Sequence, residues 1–254
     1  MLNIILPSLP YQRIVDPMWQ EEMDIARACG YSVCLFDAEQ EKTYQQPNPQ
    51  FSTLYRGWML SAAEYQQLAA VAPLLVSADL YQASHQANGW YDSITQFTPQ
   101  SNIVAAIAAE ATVEAFLQRK GQVFVKGLSK SFGSDSVVSS RAEFDALLQK
   151  HEVAPEHLLF VREFIELSNQ PEQRFFVVCN EAFSATGAPF PEALKPALEN
   201  LANRWFYTVD VAFTQMGQPI IIEVGDGQVS DTKEWAVTDL YSNVISLIAE
   251  LAAV

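Results

Sequence analysis

Residues 220–231, IIIEVGDGQVSD, begin as an aliphatic strand and turn abruptly acidic, with Glu223, Asp226 and Asp231 close along the chain. The preceding run, WFYTVDVAFTQMGQP, is also β-rich, and the two meet at Met216-Gly217, a hairpin signal. Centring the turn there pairs position 215 with 218, 213 with 220 and 210 with 223. Alternation then places Tyr207, Val209, Val211 and Phe213 on one face with Ile220, Ile222 and Val224. Asp210 and Glu223 share the other face, with Cβ atoms about 5 Å apart. Two carboxylates that close repel one another, and a divalent cation between them converts the repulsion into a hard-oxygen site suited to Mg²⁺. An edge hairpin with two solvated acids, or a register slipped by one, is the other reading that this pattern permits.

Cations with matching chemistry occupy the middle of the chain. Lys126 ends the apolar run VFVK and precedes GLSKSFGSDS, a Gly/Ser-rich stretch over 127–136 that contains Lys130 and Ser131. A strand-end ammonium followed by such a loop can hold phosphates through its point charge and backbone N–H groups. With little apolar surface to bury, the loop is expected to be mobile until a ligand orders it. It is not a P-loop, and GDGQVS is not a dinucleotide fingerprint, because the required spacings are absent. Arg162 in LLFVREFIEL and Arg174 in EQRFFVV lie in apolar β contexts where an unpaired guanidinium is costly. Each is either a structural ion pair, for instance with Glu163 or Glu172, or a planar fork for phosphate or carboxylate oxygens. Nearer the N-terminus, Arg56 and His85 are candidate substrate-pocket residues.

These groups need a scaffold, and the chain divides into two textures. Residues 1–97 alternate strand-like segments (LNIILPS, YSVCLF, STLYRGW, PLLVS) with helix-like ones (PMWQEEMDIARACG, SAAEYQQLAAVA), the pattern of a parallel sheet flanked by helices. At the boundary QFTPQSNI, Thr98 is placed to cap a helix starting at Pro99. Residues 98–254 read as α+β with mainly antiparallel pairing: a strand at GQVFVKGL, a helix capped by Ser140, a strand at HLLFVREFI, and a hairpin turning at Asn180-Glu181. A helix over about 191–203, the acidic hairpin and a terminal helix from about Glu234 follow.

Composition narrows the function classes. With a net charge of −15 from 30 acids and 15 bases, the chain is a poor general nucleic-acid binder. No apolar run reaches the roughly 20 residues that a membrane span needs. Cys29, Cys34 and Cys179 form no metal-binding spacing and sit among apolar residues, so buried reduced thiols and a cytoplasmic protein are expected. The oligomeric state is open, a homodimer among the options.

Lys126 with its Gly/Ser loop, the hinge-like Glu163-Phe164-Ile165 and the acids Asp210 and Glu223 together resemble the ATP-grasp superfamily, in the family's order. YRGWMLSAAEY, HQANGWYDSITQFTP, VREFIE, RFFVV and EVGDGQVSD are similar to a small phage and bacterial clade of that superfamily, marked by two arginines and a lysine. The resemblance implies an ATP-grasp fold, two α+β subdomains sandwiching ATP, behind an α/β N-terminal domain. It implies ATP and Mg²⁺ as cofactors, with Lys126, Lys130, Ser131, Arg162, Arg174 and the hinge 163–165 holding the nucleotide. Asp210 and Glu223 would hold the metal, with Asp226 replacing an Asn that the wider family has where this chain has Gly225. The glycines of the motif would let backbone approach the reacting groups. The implied activity is ADP-forming ligation of a carboxylate, on a small molecule or peptide, to an amine through an acyl phosphate, with Arg162, Arg174 and Lys126 as catalytic groups. A kinase-like phosphotransferase and a non-catalytic nucleotide binder are the alternatives.

Overall fold

A computed structural model describes residues 1–253 and arranges twelve strands in three four-stranded sheets. The first sheet holds β1 (Leu2–Pro7), β2 (Ser32–Asp37), β3 (Lys42–Thr43) and β4 (Ser52–Tyr55) in the order β3-β2-β1-β4. β1 runs parallel to both β2 and β4, as the strand–helix alternation predicts, and only the edge strand β3 is antiparallel. The second sheet holds β5 (Ser101–Ala105), β6 (Val123–Gly127), β7 (Val137–Val138) and β8 (Leu158–Glu163) in the order β5-β8-β6-β7. The third holds β9 (Gln173–Val178), β10 (Glu181–Ser184), β11 (Phe206–Phe213) and β12 (Pro219–Asp226) in the order β10-β9-β11-β12. Every pairing in the last two sheets is antiparallel. The architecture is that of an ATP-grasp fold.

Alternation sorts the side chains into three cores. In the second sheet Val123, Val125, Leu159 and Val161 face the helices Glu110–Lys120 and Arg141–Lys150. Phe160 faces the other way, into a core with Trp90, Tyr91, Phe175, Tyr207 and Val209. The opposite face of the third sheet gives Phe176, Val178 and Phe206 to the core of the first sheet. That core also receives Leu240, Val244 and Ile248 of the closing helical segment, so the chain's last helix seals its first strands.

Several local expectations are corrected. PLLVS is not a strand: Leu74 makes one bridge to Thr53, and the chain goes straight into the helix Ala78–His85, capped by Ser77. No helix starts at Pro99; the β-branched residues after it form β5, and the helix begins at Glu110. The β9–β10 turn is Cys179-Asn180, both with positive φ, one residue earlier than the sequence suggests. Of the three cysteines only Cys34 is buried; Cys29 and Cys179 lie at a helix end and a hairpin turn and are exposed.

The acidic hairpin keeps its central pair by an unexpected route. Its tip pairs Phe213 with Pro219, one position off the expected register, and a bulge beside Val211 then returns Asp210 to Glu223. The extra residue changes which isoleucines are buried: Ile221 joins the core, while Ile220 and Ile222 turn to the other side.

The first sheet is fastened to the third through Arg56, which is wholly buried. Its Nε donates to Glu22 Oε1 at 2.7 Å, and its Nη1 donates to the carbonyls of Gly227 at 2.6 Å and Ser230 at 3.1 Å. Tyr241 of the closing helix donates to the same Glu22 carboxylate. Arg56 therefore clamps the layers together and lines no substrate pocket. His85 is buried at the end of its helix, its Nδ1 at 2.8 Å from the Tyr81 carbonyl, and burial lowers its pKa below the ordinary imidazole value. Asp226 is likewise enclosed. It lies three residues beyond Glu223, so alternation turns it to the opposite face, where Oδ1 accepts from Gln228 N and Nε2 and Oδ2 has no partner. Burial pushes its carboxyl up to about 7, and it is not a metal ligand beside Asp210.

Removing one member of a buried ion pair leaves the other charge uncompensated. Glu22→Gln is therefore expected to cost about 3–5 kcal/mol in urea denaturation, and an unchanged midpoint would contradict the clamp. Because the pKa of Asp226 is raised on folding, its stabilising contribution is complete below the ordinary carboxylate value of about 4 and is lost as pH rises through its folded value. Asp226→Asn should flatten that fall in thermal stability; an undiminished slope would place its origin elsewhere.

Candidate active site

A cavity of about 500 Å³ opens where β6 and β8 meet β9, β11 and β12. One wall comes from alternation in the second sheet: Phe124, Lys126 and Arg162 face the cavity because Val123, Val125 and Val161 face the helices. Pairing sets Phe124 opposite Arg162 across β6 and β8. The floor is Glu163-Phe164-Ile165, where the chain leaves β8 with the Glu163 amide bonded to the Gln100 carbonyl, followed by Leu167. The other wall is a row of ionisable residues at one level of three adjacent strands: Arg174 pairs with Asp210, and Asp210 with Glu223. Ile220 and Ile222, turned inward by the bulge, join Pro99 and Val137 as its apolar lining.

The charges in this row are engaged with one another. Arg174 grips Asp210 with two hydrogen bonds, Nε to Oδ1 at 2.8 Å and Nη2 to Oδ2 at 2.7 Å, and its Nη1 meets the Asp231 carboxylate. Lys233 Nζ adds a third contact to Asp210 Oδ2 at 2.8 Å and also bonds Glu172. Burial would raise the Asp210 carboxyl, but Arg174 and Lys233 outweigh it and hold the group below its ordinary range. Glu172 is pushed up by burial, with Asp210's charge adding to the rise and Lys233 opposing it. Glu223 accepts from Lys126 Nζ at 2.5 Å, and that ammonium is almost wholly buried.

Arg162 differs from the other cations. It is 7% exposed, its Nη1 donates to the Ile222 carbonyl at 2.6 Å, its Nε reaches Ser101 Oγ, and Nη2 is buried with no hydrogen-bond partner. Among the described residues none of its partners is a carboxylate, and it lies over the ring of Phe160. Burial pulls its guanidinium down to about 10, with Glu223's charge opposing. A buried, under-satisfied guanidinium at a cavity wall is an anion receptor.

The structure thus brings Lys126, Ser131, Arg162, the hinge 163–165, Arg174, Asp210 and Glu223 into one cavity, and leaves Lys130, Asp226, Arg56 and His85 outside its lining. Lys130 is exposed on the loop, which is tied down by the Gly127–Lys130 backbone bond, by Phe132 N to Ser136 Oγ and by Phe132 against His151. Arg174 is a paired arginine, though its partner is Asp210 and not Glu172. The motif glycines serve packing: a Cβ at Gly225 would lie 2.8 Å from Thr208 Oγ1, and one at Gly227 2.7 Å from the ring of Phe206. The family's Asn at position 225 would not fit here. Two lining residues lay outside the sequence reading of the site. Glu172, two positions before Arg174, shares its face and could have been found by alternation; Lys233 follows an irregular loop and carries no such signal.

Comparison with known proteins places this geometry. The model of an ATP-grasp domain, family 3 of the clade named for two arginines and a lysine, matches residues 68–246. Among solved structures the chain is similar to D-cycloserine synthetase DcsG, with a TM-score of 0.65 at 12% identity over 94% of this chain and 93% of that one. It is also similar to a RimK domain ATP-grasp protein from Sphaerobacter thermophilus, TM-score 0.61, 17% identity, covering 100% and 97% of the two chains. A third is the D-alanine-D-alanine ligase from Coxiella burnetii, TM-score 0.61, 12% identity, covering 99% and 93%. No curated protein matches the chain. With the family match spanning most of its length and the cavity built from the strands that carry the motifs, the chain belongs to the ATP-grasp proteins, in family 3 of the two-arginine, one-lysine clade.

Proposed function

We propose that this protein is an ADP-forming, Mg²⁺-dependent ATP-grasp ligase that joins a carboxylate, on a small molecule or peptide, to an amine. The observation that carries the reading is the under-satisfied guanidinium of Arg162, facing a cavity whose far wall pairs Asp210 with Glu223. ATP fits the lining: the apolar slot of Phe124, Phe164, Ile165, Leu167, Ile220 and Ile222 suits a purine, and Lys126 and Arg162 suit its phosphates.

The donor set also fits Mg²⁺. Among the described residues no three metal-ligating side chains converge unaided. That agrees with an ion that takes one or two carboxylates and completes its shell with water and substrate phosphate. Asp210 and Glu223 would hold it, and bound there it would neutralise charge on the phosphates during transfer.

In this reading the chain's own groups act mainly by position. Lys126 and Arg162 fix the phosphate oxygens, and Arg174 is a positioning residue that aims Asp210 through its bidentate grip. The substrate carboxylate oxygen attacks the γ-phosphorus as the bond to ADP breaks. The amine then attacks the acyl carbon, phosphate leaves and the nitrogen sheds a proton. Incubation with ATP, Mg²⁺ and mixed carboxylates and amines should release ADP together with a product equal to their sum less water. ADP with a phosphorylated hydroxyl would instead indicate a kinase, and no ADP a passive binder.

Two substitutions test the assignment. Arg162→Lys keeps a cation but loses the fork, so nucleotide affinity should fall by at least about tenfold in calorimetric titration. Its melting temperature should hold, since that charge stabilises no carboxylate; the opposite pattern would make Arg162 structural. Arg174→Lys should lower kcat at least about tenfold, about 1.4 kcal/mol, with a smaller change in ATP affinity. A fall in stability with full turnover in the folded fraction would remove the positioning role.

A further inference from the structure

Asp210 is asked to do two things that compete. The proposed function makes it a metal ligand, yet both of its oxygens are already bonded to cations, Oδ1 to Arg174 and Oδ2 to Arg174 and Lys233. A divalent ion can reach this carboxylate only if one cation gives way.

The two are not equally free to move. Arg174 is held at every nitrogen and through its backbone: Nη1 by Asp231, its amide by Glu234 Oε1, and its carbonyl by Trp235 Nε1. Lys233 is held only by its ammonium, on Asp210 and Glu172, at the end of a flexible stem that is 31% exposed and lines the cavity. Its backbone has φ of 44°, a conformation that disfavours a residue with a Cβ and places Lys233 at a turn in the loop behind the motif. An ammonium makes a strong but non-directional contact, which it can exchange for a phosphate oxygen without losing charge pairing.

We propose that Lys233 is a tethered, exchangeable cation. In the free protein its ammonium neutralises Asp210 and Glu172; as metal and nucleotide arrive it leaves Asp210 to the metal and pairs with the phosphates. The device keeps a buried carboxylate charged and compensated in the absence of ligand, and couples metal binding to nucleotide binding. This inference rests on the proposed function, since it presupposes that Asp210 takes the ion.

Exchange has a thermodynamic signature that simple charge removal lacks. Mn²⁺ binding is measured by electron paramagnetic resonance, with and without a saturating non-hydrolysable ATP analogue, for the wild type, Lys233→Gln and Lys233→Asn. The Asn variant tolerates the left-handed backbone should Gln fold poorly. Without nucleotide the variants should bind Mn²⁺ about fivefold or more tighter, because the competitor is gone; with the analogue they should bind it about fivefold or more weaker, because a phosphate partner is gone. A shift of the same sign in both conditions, or none, overturns the exchange. Asp210→Asn, run in parallel, separates the failures. If it abolishes Mn²⁺ uptake while the Lys233 variants show no reversal, the exchange alone falls. If the wild type takes up no Mn²⁺ even with the analogue, both readings fall.

Discussion

The candidate active site depends on one row of charges laid across three strands. Arg174, Asp210 and Glu223 occupy successive positions of a single sheet level, and Lys126 reaches Glu223 from the facing sheet. Two carboxylates beside one another in a sheet repel, and Asp210 is almost wholly buried, so the arrangement is tenable only because each acid has a cation of its own. The surrounding architecture meets that requirement. The bulge in β11–β12 restores the register that sets Asp210 against Glu223, and alternation in β6 and β8 delivers Lys126 and Arg162 to the opposite wall.

The same logic separates the two arginines. Each lies in a β-rich apolar segment, and from their neighbours alone both read as forks awaiting an anion. Arg174 finds its anion within the protein, because β9 runs beside β11 and brings Asp210 level with it. Arg162 lies on a strand whose neighbours at that level are Ser101 and Phe124, so no acid is supplied and one nitrogen stays without a partner. One arginine therefore organises the site, and the other is available to a ligand.

The GDGQVSD segment serves a different end from the one its composition suggests. Its glycines make room for Thr208, Ser230 and Phe206 at separations that a Cβ would violate. Its carbonyls take the guanidinium of Arg56, and Gln228 accepts from the Tyr55 amide. The motif is thus a seam between the first and third sheets, with Glu223 at one end and Asp231 meeting Arg174 at the other. Function and fold share these residues, which explains why a loop so near the cavity is so fully bonded.

Much of this was legible in the sequence because strand alternation is a local rule with a period of two. The parallel N-terminal sheet, the antiparallel remainder, the Asp210–Glu223 pair, the strand-end Lys126 and the hinge 163–165 all follow from short runs of residue types. The opposite face taken by Asp226 also lay within that rule, three residues from Glu223, although the family's ligand spacing pointed the other way. What only the tertiary structure decided involves partners distant along the chain. Arg56 is a clamp because Glu22 and the carbonyls of 227 and 230 converge on it, and Lys233 enters the cavity by a loop with no periodicity to extrapolate. A buried charge takes its role from whatever lies across from it, and that is settled by the packing of sheets, which no local run of sequence contains.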